Sequence, residues 1–291
     1  MNAYTTINNH CRICGAQTKP LFVVQKWPLN ECKQCHFKQV EKQPSKDDLT
    51  KIYSNKYFVS SKYSENNFSQ QKELERRLKL LNRYVPEGST VIDIGCGIGD
   101  FLSYAQSKYN LWGHDISEDA ISEAKKTLPE LSEKLRSGMI ENTKYAENYY
   151  DAVVLWDVIE HIWDPKSVVE QVLSYVKPSG YLIFSTPYAD ALTAKLMGKK
   201  WAFMTPPEHL GFFGKNSIEQ LFARELKHKV KFISAKGKWV NLGFLMYKLD
   251  KVFKNPITNF LKKFFSGVLS GIPLYVPTND IVYVVIQKGK H

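Results

Sequence analysis

A chain of 291 residues, 43% of them hydrophobic and 24% charged, is long enough for one large core with a small appendage and too apolar for extended disorder. Its formal charge of +11 admits nucleic acid, an anionic membrane surface or a phosphorylated ligand as partner without choosing among them. The first ten residues are polar where a secretory signal needs an apolar run, and the most apolar stretch, 260–276, is interrupted by Lys262, Lys263 and Pro273. No transmembrane helix is therefore expected, and the expected setting is cytoplasmic, where cysteines stay reduced and read first as metal ligands or reactive groups.

Residues 1–45 carry Cys11 and Cys14 in one C-x-x-C pair and, further along, Cys32 and Cys35 in another. Two such knuckles can surround one tetrahedral ion, and this spacing is that of a four-cysteine zinc module. Four thiolates leave no open coordination position, so the expected Zn2+ is structural, supplying the folding free energy that so short a segment lacks. Gly15 follows the first pair, where a tight knuckle favours an unhindered backbone. His36 follows the second as a bystander, the cysteines already completing the shell. A redox dithiol would need one pair at a helix start and would leave the other without a role.

Residues 46–88 read as a helical connector, charged and periodic over 71–84, ending at Pro86 and Gly88. A buried strand is expected from Thr90 and runs into Asp93-Ile94-Gly95-Cys96-Gly97-Ile98-Gly99-Asp100, followed by the helical pattern of Phe101, Leu102, Tyr104 and Ala105. Strand, glycine turn and helix in that order form a nucleotide-binding βα unit, although dinucleotide enzymes share it. The next strand, near 111–114, ends in Asp115, at the place, about 20 residues past the glycine turn, where a carboxylate accepts hydrogen bonds from ribose hydroxyls. Cys96, inside the turn, is accounted for by its small size.

The run Val91-Ile92-Asp93-Ile94-Gly95-Cys96-Gly97-Ile98-Gly99 resembles motif I of the class I S-adenosylmethionine-dependent methyltransferases. Later segments are similar to the same family in the same order. Residues 151–156 read as the fourth strand, leading into Asp157-Val158-Ile159-Glu160-His161-Ile162-Trp163-Asp164-Pro165, and 176–187 as the approach to the fifth strand and the strand itself. Pro207-Glu208-His209-Leu210 with Phe212-Phe213 resembles a signature of ubiquinone-type and glycan-modifying members. The resemblance covers residues 90–226. It implies a doubly wound, seven-stranded Rossmann-like α/β fold of strand order 3-2-1-4-5-7-6 with an antiparallel last strand, alongside the small zinc ribbon. It further implies S-adenosyl-L-methionine as cofactor, with Asp93, Gly95 and Gly97 around its methionine portion and Gly99 opening the helix. Asp115 would hold the ribose, Ile116, Met139 and Ile140 would flank the adenine, and Trp156 with Asp157 would floor the methyl group.

Methyl transfer needs a base near the acceptor. His161, past the fourth strand at the carboxyl edge of the sheet, is the first candidate, and His209 on its proline-bounded loop is the second. Glu-His at this place in the superfamily also serves as a structural hydrogen-bonding pair. Asp157, Glu160 and His161 resemble a divalent-cation pattern of ubiquinone-type members, with aspartate replacing the usual glutamate at the first position and shortening its reach. The implied reaction is transfer to an oxygen of a small-molecule, glycan or lipid-linked acceptor. An RNA methyltransferase, gripping phosphates with the zinc module and basic surface, is the alternative, against which no Asn-Pro-Pro-Tyr-like motif follows the fourth strand. The intact motif I argues against a catalytically silent binding protein. Residues 89–291 would form the methyltransferase domain, with a basic amphipathic insertion at 242–274 between strands expected at 229–235 and 280–287. Its apolar residues at helical spacing among lysines fit an anionic membrane interface, which would make the protein peripheral to the membrane, a cover over a lipid-like acceptor pocket, or ordinary packing on the core.

Overall fold

The computed structural model describes residues 9–45, 48, 68–223, 229–243, 245, 246, 250, 255–265 and 271–290. Most of 46–67, in the expected connector, and 266–270, in the expected insertion, lie outside the described residues.

The central sheet is built from β4 (Thr90–Ile94), β5 (Asn110–Asp115), β6 (Leu135–Ser137), β7 (Tyr150–Trp156), β8 (Val176–Pro187), β10 (Lys229–Asn241) and β11 (Pro273–Gln287). Side chains alternate between its two faces, as a pleated strand requires. Ile92, Val153, Leu155 and Val284 join one buried cluster, and Val91, Ala152, Val154 and Val285 join the other. Both faces are covered, which is why these strands read as continuous apolar runs. On the second face lie the helices α1 (Phe68–Tyr84), α2 (Asp100–Ala105) and α3 (Glu118–Thr127), contributing Leu81, Leu102 and Ala124. The first face carries α4 (Pro165–Tyr175) and α6 (Lys215–Ala223), with Val168 and Ile218.

The strands lie in the order β6-β5-β4-β7-β8-β11-β10. Counted from β4, this is the expected 3-2-1-4-5-7-6. Pairs from β6 to β8 are parallel, and β11 runs antiparallel to both β8 and β10.

A second sheet holds β1 (Thr18–Val24), β2 (Trp27–Cys32) and β3 (Lys38–Val40) as an antiparallel meander. Its fourth strand, β9 (Gly211–Phe212), comes from far later in the chain, pairing Lys38 with Phe212 and Gln39 with Gly211. The seam is tightly packed. Phe37 stands 4.9 Å from Phe213 between ring centroids, and a Cβ on Gly211 would lie 2.6 Å from Cζ of Phe37.

The insertion differs from its expected form. Strands expected at 229–235 and 280–287 continue as a two-stranded ribbon, β10 to Asn241 and β11 from Pro273, and only then does the chain turn helical. An irregularity at Gly237, where a Cβ would lie 2.2 Å from the carbonyl oxygen of Val276, lets the pairing resume as Lys238 with Val276. Trp239 and Tyr275 pack across the ribbon at 5.4 Å, a cross-strand aromatic pair that stabilises the extension. The helical part is α7 (Pro256–Phe264), capped by Asn255 and Thr258 in a reciprocal capping box with Pro256 at its first turn. Short α5 (Leu192–Met197) follows β8. No helix among the described residues is long and apolar enough to cross a membrane.

Candidate functional site

The carboxyl ends of β4, β5 and β7 open onto a cavity of about 300 Å³. Gly95 and Gly97 of the glycine turn line it, both in the left-handed region at φ 82 and 56. They do so for different reasons. A Cβ on Gly95 would fall 2.2 Å from Cγ2 of Val158, whereas one on Gly97 would meet nothing within 4 Å, leaving that backbone open to a ligand. Gly99, at φ 89, opens α2 without lining the cavity.

Asp115, at the end of β5, is pinned by backbone donors, accepting hydrogen bonds from Gly97 N at 2.8 Å and Ser117 N at 2.8 Å. Asp115 lines the cavity, and Ile116, Met139 and Ile140 supply the apolar lining. Asp93 is buried one step behind. Its Oδ1 has no partner, and burial pushes its pKa up to about 8, the charge of Asp115 adding to the rise and Arg77 opposing it.

Asp157 lines the cavity with φ 57, a left-handed conformation uncommon outside glycine and better tolerated by aspartate than by bulkier residues. Ser185 Oγ donates to its Oδ1 at 2.8 Å, and Arg77 of α1 donates to its Oδ2 at 2.5 Å. No sequence signal singles out Arg77. It joins Asp157 from a helix far earlier in the chain, and nothing in that arginine-rich helix distinguishes it from Arg76. The side chain of Trp156 does not floor the cavity as expected. Strand alternation turns it to the opposite face, where it packs against Phe101 at 5.4 Å with the guanidinium of Arg77 5.5 Å above its ring.

The other wall is formed by His161, Trp163 and Leu210, joined by Gln43 and Pro44 from the N-terminal segment. His161 and His209 stand ring to ring at 4.8 Å. His209 is buried behind His161 and does not line the cavity. Each ring donates its Nδ1 proton to a carbonyl, His161 to Glu208 O at 2.8 Å and His209 to Phe203 O at 2.7 Å, because a carbonyl can only accept. The Nε2 lone pairs are thereby left for another role. Burial, helped by the neighbouring His209, drives the pKa of His161 down to about 3, and burial lowers that of His209 as well.

The donor set brought together also differs from the expected Asp157, Glu160 and His161. Among the described residues, Glu160, His161 and His209 have ligand atoms all within 4.8 Å of one another, while Asp157 is held by Arg77 and Ser185. Glu160 is buried, accepts a hydrogen bond from Thr186 Oγ1 at 2.9 Å, and has its pKa raised well above the carboxylate range by burial and then by Asp157.

Leu210 connects this wall to the cysteine-bearing sheet. Its N–H donates to Glu160 O at 2.7 Å, and its carbonyl accepts from Val40 N at 3.0 Å and Arg12 Nη2 at 2.6 Å. The Arg12 guanidinium lies 3.9 Å over the ring of Trp163. The four cysteines beside Arg12 are buried and unbridged, with Sγ separations of 3.6 Å for Cys11–Cys35, 3.4 Å for Cys14–Cys32 and 3.6 Å for Cys14–Cys35. Four sulfurs at about 2.3 Å from a tetrahedral zinc would stand about 3.8 Å apart, so the cluster is close to that size. Backbone N–H groups of Ile13, Gln34 and Cys35 point at the sulfurs of Cys11 and Cys32 at 3.3 to 3.4 Å. Gly15 and His36, each next after a cysteine pair, both take left-handed conformations, φ 75 and 59, so the two knuckles turn alike. His36 is outside the cluster.

A sheet of this order with a glycine turn after its first strand and a carboxylate after its second defines a Rossmann-like protein of the class I methyltransferase type. Solved methyltransferases share that fold. Magnesium protoporphyrin IX methyltransferase from Synechocystis PCC 6803, with bound S-adenosylhomocysteine, aligns with TM-score 0.56 at 15% identity over 84% of this chain and 100% of that one. An Archaeoglobus fulgidus SAM-dependent methyltransferase aligns with TM-score 0.52 at 18% identity over 81% and 100%. The family model described as a methyltransferase domain matches residues 67–225, more than half of the chain, and the chain belongs to that family. It is also similar to ubiquinone biosynthesis O-methyltransferases. That of Hydrogenovibrio crunogenus is 32% identical over 105 residues, 34% of this chain and 43% of its own length, and that of Thiobacillus denitrificans is 33% identical over 116 residues, 38% and 50% respectively. The chain thus spans about half the length or less of these curated relatives.

Proposed function

We propose that the chain is an S-adenosylmethionine-dependent methyltransferase acting on an oxygen of a small-molecule acceptor, including glycan or lipid-linked ones. The observation that carries this reading is that Gly97, Asp115 and His161 line one cavity. The open backbone at Gly97 and the pinned carboxylate of Asp115 suit a nucleoside with free ribose hydroxyls, and Ile116, Met139 and Ile140 suit its base. Buried Asp93 and partly buried Arg77, which interact near the glycine turn, suit the ammonium and carboxylate of the methionine portion. Bound S-adenosylmethionine would supply an activated methyl group on sulfur. The protein's part is then to align the acceptor and manage its proton.

A free imidazole with a pKa near 3 is a weak base at neutral pH. It is, however, the neutral form that ligates metals, and an Nδ1 proton donated to a carbonyl is the usual second contact of a ligating histidine. Glu160, His161 and His209 therefore fit a divalent cation, which would acidify an acceptor hydroxyl there. The cysteine cluster fits a structural zinc ion by its size and its N–H donors.

The test is calorimetry with S-adenosylhomocysteine. Asp115→Ala should weaken binding by about 1.5–3 kcal/mol, the worth of a charge-assisted hydrogen bond; equal affinity would put the ribose elsewhere. Incubation with labelled cofactor and separated small-molecule, lipid and RNA fractions then assigns the acceptor. Methyl incorporation into RNA alone would favour the alternative.

A further inference from the structure

The charge surplus of the chain is concentrated. Residues 229–279 hold nine lysines, no arginine and one acidic residue, Asp250, a net of +8 against +11 for the whole chain. Within that segment α7 is an amphipathic helix whose apolar side is left open. Ile257, Phe260 and Phe264 recur at helical spacing and are 70%, 65% and 61% exposed, and the rings of Phe260 and Phe264 stack at 6.1 Å. Lys263 is exposed beside them. Sequence spacing leaves packing on the core, cover over an acceptor pocket and contact with a membrane open; the exposure of Phe260 and Phe264 favours the last.

Position adds a second observation. Pro187, the last residue of β8, pairs with Ile281, so the part of β11 from Pro273 to Asp280, with the β10 residues that pair with it, runs past the carboxyl edge of the sheet. That is the edge where the cavity lies, and α7 is carried by the loop at the ribbon's far end. α5, which follows β8 at the same edge, exposes Leu192 (69%) and Leu196 (77%) among exposed Lys195, Lys199 and Lys200. No acidic residue lies in α5 or α7.

We propose that this face is a docking surface for an anionic lipid bilayer, with the phenylalanines of α7 entering the headgroup boundary and lysines meeting the lipid charge. Docking in this way puts the carboxyl edge of the sheet against the membrane, so an acceptor would enter from the lipid side. The surface itself is independent of the methyltransferase reading. Its consequence, a lipid-linked or membrane-dissolved acceptor, rests on that reading.

The full-length protein is to be floated with vesicles of phosphatidylcholine alone and with added phosphatidylglycerol. Binding is expected to the anionic vesicles and to weaken with salt. Each lysine near the surface contributes about fivefold, so Lys262→Glu with Lys263→Glu should lower partitioning by at least about 25-fold. Phe260→Ser with Phe264→Ser should lower it by more than about tenfold. Both changes lie on the ribbon-borne helix, so S-adenosylhomocysteine affinity should be unaltered, which keeps this outcome separate from that of the functional reading. Binding to neither vesicle type, or equal binding by the variants, overturns the proposal. So does a dimer in sedimentation velocity that Phe260→Ser dissociates, since a second copy would then cover the face.

Discussion

Replacing Gly95 with alanine separates packing from ligand approach in the glycine turn. At φ 82 an alanine pays the left-handed penalty of about 1–2 kcal/mol, and its Cβ would stand 2.2 Å from Cγ2 of Val158, an overlap of the kind that costs about 1–3 kcal/mol in a packed site. Gly95→Ala should therefore destabilise the protein by about 2–5 kcal/mol. Val158→Ala removes the colliding methyl from a partly buried side chain and should cost about 1 kcal/mol alone. The double variant should then be more stable than the sum of the two by about 1–3 kcal/mol, because only the backbone strain at residue 95 persists. Urea denaturation of the four proteins measures this cycle. Additivity within about 0.5 kcal/mol would show that Val158 yields freely and that the turn is not held by this contact.

Protein purified without added metal should contain nearly one zinc per chain by elemental analysis, and Cys32→Ser should lose both the ion and the resistance of residues 9–45 to proteolysis; fully reduced protein free of zinc refutes the assignment. Manganese binding read by electron paramagnetic resonance should be present in the wild type and lost in His209→Ala, whereas retention of the signal would place the cation elsewhere. His114, buried at the end of β5 with Nδ1 3.0 Å from the Tyr145 hydroxyl, is lowered by burial to about 4 from 6.5. The folded state thus favours the neutral ring, so this contribution is complete above pH 6.5 and is lost as pH falls toward 4, on the order of 3 kcal/mol for a ring lowered that far. Thermal unfolding followed from pH 7 to 4.5 should show a steep loss of stability that is shallower in His114→Gln; an unchanged slope would refute the attribution.

Local signals carried most of the fold. Glycines before a helix, a carboxylate after the next strand and paired cysteines are short patterns whose geometry follows from neighbouring residues, and the strand order came with the family those patterns resemble. What escaped was set by distance along the chain. Arg77 meets Asp157, Lys38 pairs with Phe212, and His209 comes to lie on His161, none of which leaves a mark in either local stretch. The resemblance assigns both Trp156 and Asp157 to the floor, but Trp156 ends β7 on the face it shares with Ala152 and Val154, whereas Asp157, past the strand in a left-handed conformation, lines the cavity. The expected strand stops at residue 235 because the segment that extends it to Asn241, starting at Pro273, lies far along the chain.

The seam between β3 and β9 also bears on how the protein is made. Lys38 cannot pair with Phe212 until the whole chain between them has been synthesised, which at about 5–20 residues per second leaves β3 without its outer neighbour for roughly 10–35 s. During that interval the nascent chain presents an unpaired strand edge, the kind of surface that recruits strands from other chains. Metal capture by the cysteines could order the knuckles early, but it cannot cover that edge. For the same reason residues 1–45 expressed alone would expose the backbone of β3 together with Phe37, and would be expected to self-associate unless supplied with a strand in place of Gly211–Phe212.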